Sequence, residues 1–299
     1  MLARLQRRLI ALLGLAIAAS LALGVALGRP ALGVAIALLL AFSYTLVLAV
    51  EFVLMAAVHG DDPAPRAGPG VLLRAWWTEC VVALWVFGWL QPFREQARPD
   101  VPGRRGVRGI VFVHGYLCNR AIWNPWLAQC ARLGIPCVAI SLEPVFSGLS
   151  PYAAQVERAV ARLEQETGRA PLIVCHSMGG LVVRGWLATT PGAAARVHHV
   201  VTIGSPHRGT WLAHLGGTAN AAHMRPSNGW LRQLEAAEPP GSHARWTCFY
   251  GHADNIVFPP RSATLEGADN RHLPATPHVA MAYHPAVMAE VLARVGAGA

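Results

Sequence analysis

Pro171-Leu-Ile-Val-Cys-His-Ser-Met-Gly-Gly180 is the stretch on which the fold turns. An apolar run reaches Cys175, the polar pair His176-Ser177 follows, and a helical pattern opens at once, leaving no length for a hairpin return. Strand, tight turn and helix in that order make a unit of parallel sheet. A serine at such a turn needs small residues two places before and two places after it, because the backbone bends too sharply for larger ones. Gly179 supplies the second, and Cys175 stands where the usual G-x-S-x-G pattern has its first glycine. Held there, the Ser177 hydroxyl projects above the sheet edge near the positive end of the following helix, the setting of an activated nucleophile. The plain alternative is a serine that only caps a helix.

Working outward, further apolar runs at 109–113, 136–142, 197–203 and 245–250 alternate with helical patterns such as 152–166, whose Val156, Val160 and Leu163 share one face. This alternation predicts an α/β fold with a doubly wound, mostly parallel sheet, and ligands in such sheets gather at the carboxyl ends of the strands. No internal repeat or low-complexity tract interrupts it. The run Gly109-Ile-Val-Phe-Val-His-Gly-Tyr-Leu117 ends where backbone N–H groups could stabilise an oxyanion, so Tyr116 N–H and Met178 N–H are the candidate donors. An acid and a base should follow the serine in that order. Asp254 just past the 245–250 run and His278 before the final helical pattern supply them. Asp269 and Glu266, both in what reads as a polar loop, are rival acids, and His284, His272 and His252 are rival bases.

The set of His114-Gly115, Cys175-His176-Ser177-Met178-Gly179-Gly180, Gly204-Ser205-Pro206-His207-Arg208-Gly209-Thr210, Asp254 and His278 resembles the bacterial lipase/esterase branch of the α/β-hydrolase superfamily, over most of residues 109–295. The resemblance implies a serine carboxylic-ester hydrolase acting on lipid-like esters. It also implies Ser177, Asp254 and His278 as a catalytic triad, Tyr116 and Met178 as the oxyanion hole, a structural role for His207, and no cofactor. A thioesterase, amidase or acyltransferase would use the same groups, and a hydrolase-like scaffold without activity is the reading from another class. Residues 211–240, rich in Trp and Leu, read either as a lid over the pocket or as core.

The N-terminal third carries a different signal. Residues 9–27 and 31–58 are apolar runs long enough to cross a bilayer as helices, separated by Gly28-Arg29-Pro30, and Glu51 is the one charge in the second. Residues 71–93 hold Trp76, Trp77, Trp85 and Trp89 together with Arg74 and Glu79, so they read as an interfacial helix or a third crossing. The domain plan is a membrane anchor at 1–93, a linker at 94–108 and the catalytic domain at 109–299. All 25 basic residues counted as Lys or Arg are arginine, and those at 4, 7 and 8 and from 94 to 108 flank the apolar runs. The net charge of +9 therefore reads as attraction to membrane lipids rather than to nucleic acid. The positive-inside tendency favours two crossings of the bacterial inner membrane with the catalytic domain on the cytoplasmic side. Six cysteines show no zinc spacing, which argues against a metal site, and a pairing such as Cys118 with Cys130 stays open.

Overall fold

The structure, a computed structural model, describes residues 1–296. Six strands form one all-parallel sheet in the order β2-β1-β3-β4-β5-β6. They are β1 Ile110–Val113, β2 Cys137–Ile140, β3 Leu172–His176, β4 His199–Ile203, β5 Trp246–Tyr250 and β6 Asp269–His272. Five of them match the apolar runs of the sequence. The sixth corrects it, because Asp269 lies not in a loop but at the start of an edge strand, paired with Thr247. An edge strand of sequence DNRH has no buried face, so no apolar run announces it.

Successive residues of a strand point to opposite faces, and the core divides accordingly. Val111, Val113, Ile173 and Cys175 face one layer, with α6 (Ala153–Thr167), α7 (Met178–Thr189) and α9 (Gly229–Ala237). Val156, Val160 and Leu163 of α6 are wholly buried there, on the face their spacing indicates. Ile110, Phe112, Leu172 and Val174 face the other layer, built from α5 (Asn124–Leu133) and α11 (Pro285–Gly296). Within 211–240, a 3-10 turn at Trp211–Leu215 precedes α8 (Ala219–His223) and α9, and Met224, Leu231 and Leu234 reach the core while Leu215 stays exposed.

Three N-terminal helices are long and apolar enough to span a membrane. Helices α1 (Leu2–Ala26) and α2 (Pro30–Val58) form a tight antiparallel hairpin, in which a Cβ added to Gly24 would fall 2.7 Å from Gly33 Cα. Small residues let two helix backbones approach that closely. Helix α3 (Pro69–Trp85) runs through a π-helical turn at Val86–Leu90 into α4 (Gln91–Phe93). It crosses the base of the hairpin. Its first turns pack on Phe52 and Met55 of α2, while Gln91 and Pro92 accept hydrogen bonds from Gln6 (3.0 Å) and Arg7 (2.8 Å) of α1. Val86 and Leu90 reach into the core beside the sheet. The 94–108 segment lies along the sheet edge, where Val101 bridges Cys137 and Asp100 pairs with Arg120 at 2.6 Å.

Candidate active site

The strand order switches between β1 and β3, and both strands end at the same crevice. At the end of β3, Ser177 takes φ 55° and ψ −129°, a conformation that costs a residue with a Cβ and is held by its surroundings. Its N–H donates to Ile203 O at 2.8 Å, and α7 begins at the next residue. Two glycines permit the bend. A Cβ on Gly179 would fall 2.5 Å from Val113 O, and one on Gly180 would fall 2.4 Å from Ser205 Oγ. Met178 opens α7, so its N–H has no partner inside the helix.

Across the crevice the loop after β1 is locked by His114. Its Nε2 accepts from Leu142 N–H at 2.8 Å, which makes Nδ1 the protonated nitrogen, and Nδ1 donates to Gly115 O at 2.8 Å. Burial holds this imidazole neutral, with its pKa pulled down to about 4. Gly115 then lies against Ser177: a Cβ there would be 2.6 Å from Ser177 Cβ. Tyr116 follows, and its hydroxyl meets Thr218 Oγ1 at 3.1 Å.

The candidate acid and base come from the loop after β5 and from the first residue of a short helix, α10 (His278–Met281). His278 Nδ1 lies 2.9 Å from Asp254 Oδ1 and 3.0 Å from Oδ2, and both residues are buried. Asp254 Oδ1 also accepts from Ile256 N–H (2.9 Å) and Val257 N–H (2.8 Å), which fixes the carboxylate. Gly204, with φ 55°, leaves room for the pair, since a Cβ on it would fall 2.9 Å from Asp254 Oδ2. The His278 ring lies 4.7 Å from that of His176, the residue before Ser177, tilted by 47°, and the backbone carbonyl of His278 meets His176 Nε2 at 3.2 Å. Burial disfavours a charged His278, but the charge and hydrogen bond of Asp254, with Glu79 and Glu51 beyond, outweigh it and raise its pKa above the ordinary value.

The rivals are occupied elsewhere. His284 Nδ1 accepts from Ala286 N–H at 3.2 Å at the start of α11. His252 Nδ1 and His272 Nε2 bond to each other at 2.8 Å, Asp269 pairs with Arg271 at 2.7 Å, and Glu266 is exposed. His207 is fully buried against Thr202 Oγ1 (3.0 Å), a structural setting. Cys118 and Cys130 are both free thiols, and burial pushes Cys118 up to about 12, so it is an inert thiol in the loop after β1. Among the described residues no three His, Cys, Asp or Glu side chains come together in a way that could hold a metal ion. A surface cleft of about 920 Å³ lies elsewhere, lined by Arg184, Arg232, Glu235, Glu238 and His243, none of which belongs to this cluster.

Sequence reasoning missed Glu51, Glu79 and Asn255. Glu79 Oε1 and Oε2 accept the N–H groups of Val279 (2.7 Å) and Ala280 (3.2 Å), the two residues after His278. Glu51 Oε2 accepts from Asn255 Nδ2 at 2.7 Å, and Asn255 Oδ1 accepts from His278 N–H at 3.3 Å. The signal was present: a lone carboxylate inside an apolar helix points to a partner or a function. Taken alone, it reads as an obstacle to a third membrane crossing by 71–93. In the structure Glu79 is buried against protein, its carboxylate turned to the backbone after His278.

Comparison with known proteins places the fold. The family model described as alpha/beta hydrolase family matches residues 110–296. Among solved structures, the mature lipase BlEst2 of Bacillus licheniformis superposes with a TM-score of 0.56 at 18% identity, covering 66% of this chain and 95% of that one. Lipase B of Aspergillus fumigatus gives a TM-score of 0.56 at 19% identity, over 63% of this chain and 52% of that one. The metagenomic carboxyl esterase MGS0156 gives 0.50 at 15% identity, over 78% and 95%. At such identities the likeness is one of fold. No curated protein matches the chain.

Proposed function

This chain belongs to the alpha/beta hydrolase family, and from that premise we propose that it is a membrane-anchored serine hydrolase that cleaves carboxylic esters of lipid-like substrates. The observation that carries the reading is the Asp254–His278 contact at the carboxyl edge of the sheet, on the side of the strained Ser177 turn. Asp254 accepts from Nδ1, so the proton sits there and Nε2 is left free to take one from Ser177 Oγ as it attacks the ester carbonyl. The tetrahedral oxyanion is met by the Tyr116 and Met178 N–H groups, each such donor lowering the barrier by roughly 3 kcal/mol. His278 returns the proton to the leaving alcohol, and the acyl group stays on Ser177. Water, deprotonated by the same imidazole, then releases the acid and restores the hydroxyl.

Three features favour a lipid-like ester. The solved structures of like fold include lipases. Leu117, Phe146 and Leu215 are exposed, on loops beside the oxyanion segment that the Tyr116–Thr218 and Asn220–Val145 (2.9 Å) hydrogen bonds tie together. The α1–α2 hairpin would hold these loops near a bilayer, its helices presenting apolar side chains such as Leu12, Leu15, Leu39 and Val53 outward. A fluorophosphonate probe tests the reading: the unsubstituted chain becomes labelled and hydrolyses p-nitrophenyl esters, and Ser177→Ala loses both. Labelling that survives in Ser177→Ala, or hydrolysis lost in His284→Ala but kept in His278→Ala, refutes the assignment.

A further inference from the structure

Glu51 is the single charged side chain in the 29 residues of α2, and Glu79 is the single acid in α3. A carboxylate on an apolar helix is costly unless something compensates it. Both find that compensation in one place. Glu79 accepts the N–H groups of Val279 and Ala280, while Glu51, through the fully buried Asn255, reaches the N–H of His278. Three successive amides of the histidine loop are thus held by side chains that belong to, or are held by, the N-terminal helices. The packing is continuous with these bonds, since Phe52, Met55 and Ala75 share a cluster with Ala253 and Phe258 on either side of Asp254.

We infer that Glu79 and Glu51 are positioning residues of the active site, contributed by the anchor helices, so that the Asp254–His278 pair is set in place only when the anchor is docked on the catalytic domain. The inference rests on the hydrolase reading above. It makes the anchor part of the catalytic apparatus rather than a tether.

A clip that merely joins two parts of the chain would affect the amount of folded protein, not the titration of the base. The titratable groups facing His278 are Asp254 from the loop after β5, His176 from β3, Glu79 from α3 and Glu51 from α2. Burial opposes the imidazolium, Asp254 favours it most, and the two glutamates add to Asp254. Over the pH range in which these carboxyls are ionised, removing either one lowers the base's affinity for its proton, so the acid limb of kcat/KM moves to lower pH. Glu51→Gln removes the charge and keeps an acceptor for Asn255. Glu79→Gln also turns an NH₂ group toward one of the two backbone donors.

The experiment compares the full chain with Glu51→Gln and Glu79→Gln in lipid nanodiscs, measuring kcat and KM for a p-nitrophenyl ester across pH and normalising by folded protein. A displaced base costs on the order of tenfold or more in turnover, so kcat of Glu79→Gln falls by that order with KM little changed. Both variants show the acid limb moved to lower pH. Folded variants with the unsubstituted kcat and pH profile overturn the inference, as does a loss of activity that vanishes on normalisation. Ser177→Ala in the same assay separates the two levels. If it retains hydrolysis, the hydrolase reading fails and the inference with it; if it abolishes hydrolysis while the glutamate variants behave normally, the inference alone fails.

Discussion

Adding one methyl group at Gly115 should disable the enzyme without unfolding it. A Cβ built there falls 2.6 Å from Ser177 Cβ and 3.2 Å from both Ser177 Oγ and His176 O. Carbon atoms in favourable contact sit about 3.5–4.0 Å apart, so the shortfall is about 1 Å. Neither side yields cheaply. β1 and β3 are paired, with Val113 opposite Cys175, and the Ser177 turn is pinned by its bond to Ile203 O. The displacement therefore falls on the nucleophile or the oxyanion loop, and a misplacement of about 1 Å costs roughly 100-fold in rate. At about 1.4 kcal/mol per factor of ten, that is about 3 kcal/mol of transition-state stabilisation. The stability cost of the overpacked contact, about 1–3 kcal/mol, leaves the domain folded. The assay is kcat for Gly115→Ala on a p-nitrophenyl ester, with the rate of fluorophosphonate labelling and a thermal melt on the same sample. Gly70→Ala, where nothing stands within 4 Å of the added carbon, is the control. Normal turnover in folded Gly115→Ala would show that the β1 loop does not set the nucleophile's position.

Two further outcomes follow from other parts of the molecule. Arg184 grips Glu238 through Nε–Oε1 (2.7 Å) and Nη2–Oε2 (2.6 Å). Burial alone would raise the Glu238 carboxyl, but Arg184 and His243 hold it down at about 2. A depressed folded value means the stabilisation is complete above the unfolded carboxyl pKa of about 4.3 and is lost as pH falls through 2; its size is about 3 kcal/mol. Glu238→Gln should therefore melt lower at neutral pH and lose less stability between pH 5 and 2, by about the same amount, and an unchanged slope of melting temperature against pH counts against the pairing. As for topology, the Met1 amino group pairs with Glu143, and Asp62 beyond the end of α2 accepts from Arg261 N–H at 2.8 Å, so both ends of the hairpin stand at the catalytic domain. Reporters fused at the N-terminus and after residue 100 should report the same, cytoplasmic side, and alkaline phosphatase activity from the second fusion would contradict this.

Much of the candidate site was legible because its signals are local. The strand, the bend at Ser177 and the helix after it follow from ten contiguous residues, and the structure puts the strained φ where the small neighbours indicate it. The glycines at 115, 179 and 180 are legible for the same reason, each marking a place where backbone and neighbour leave no room for a Cβ. Strand β6 was not legible, since its DNRH sequence has no buried face to impose alternation. The reading of 71–93 as an interfacial helix or a third crossing likewise missed that Glu79 turns toward the histidine segment, because helical spacing does not show what packs against a face.

By itself, then, the sequence determined the parallel α/β architecture, the turn at Ser177 and two apolar membrane-length helices followed by a Trp-rich third, all properties of short runs whose periodicity and steric demands act between near neighbours. Only the tertiary structure decided which imidazole meets which carboxylate, across 24 positions, and that carboxylates from the N-terminal helices reach the same loop across 200 and more. The reason is physical: a hydrogen bond between distant segments leaves no pattern along the chain, and its partners are set by how the helices and the sheet pack together.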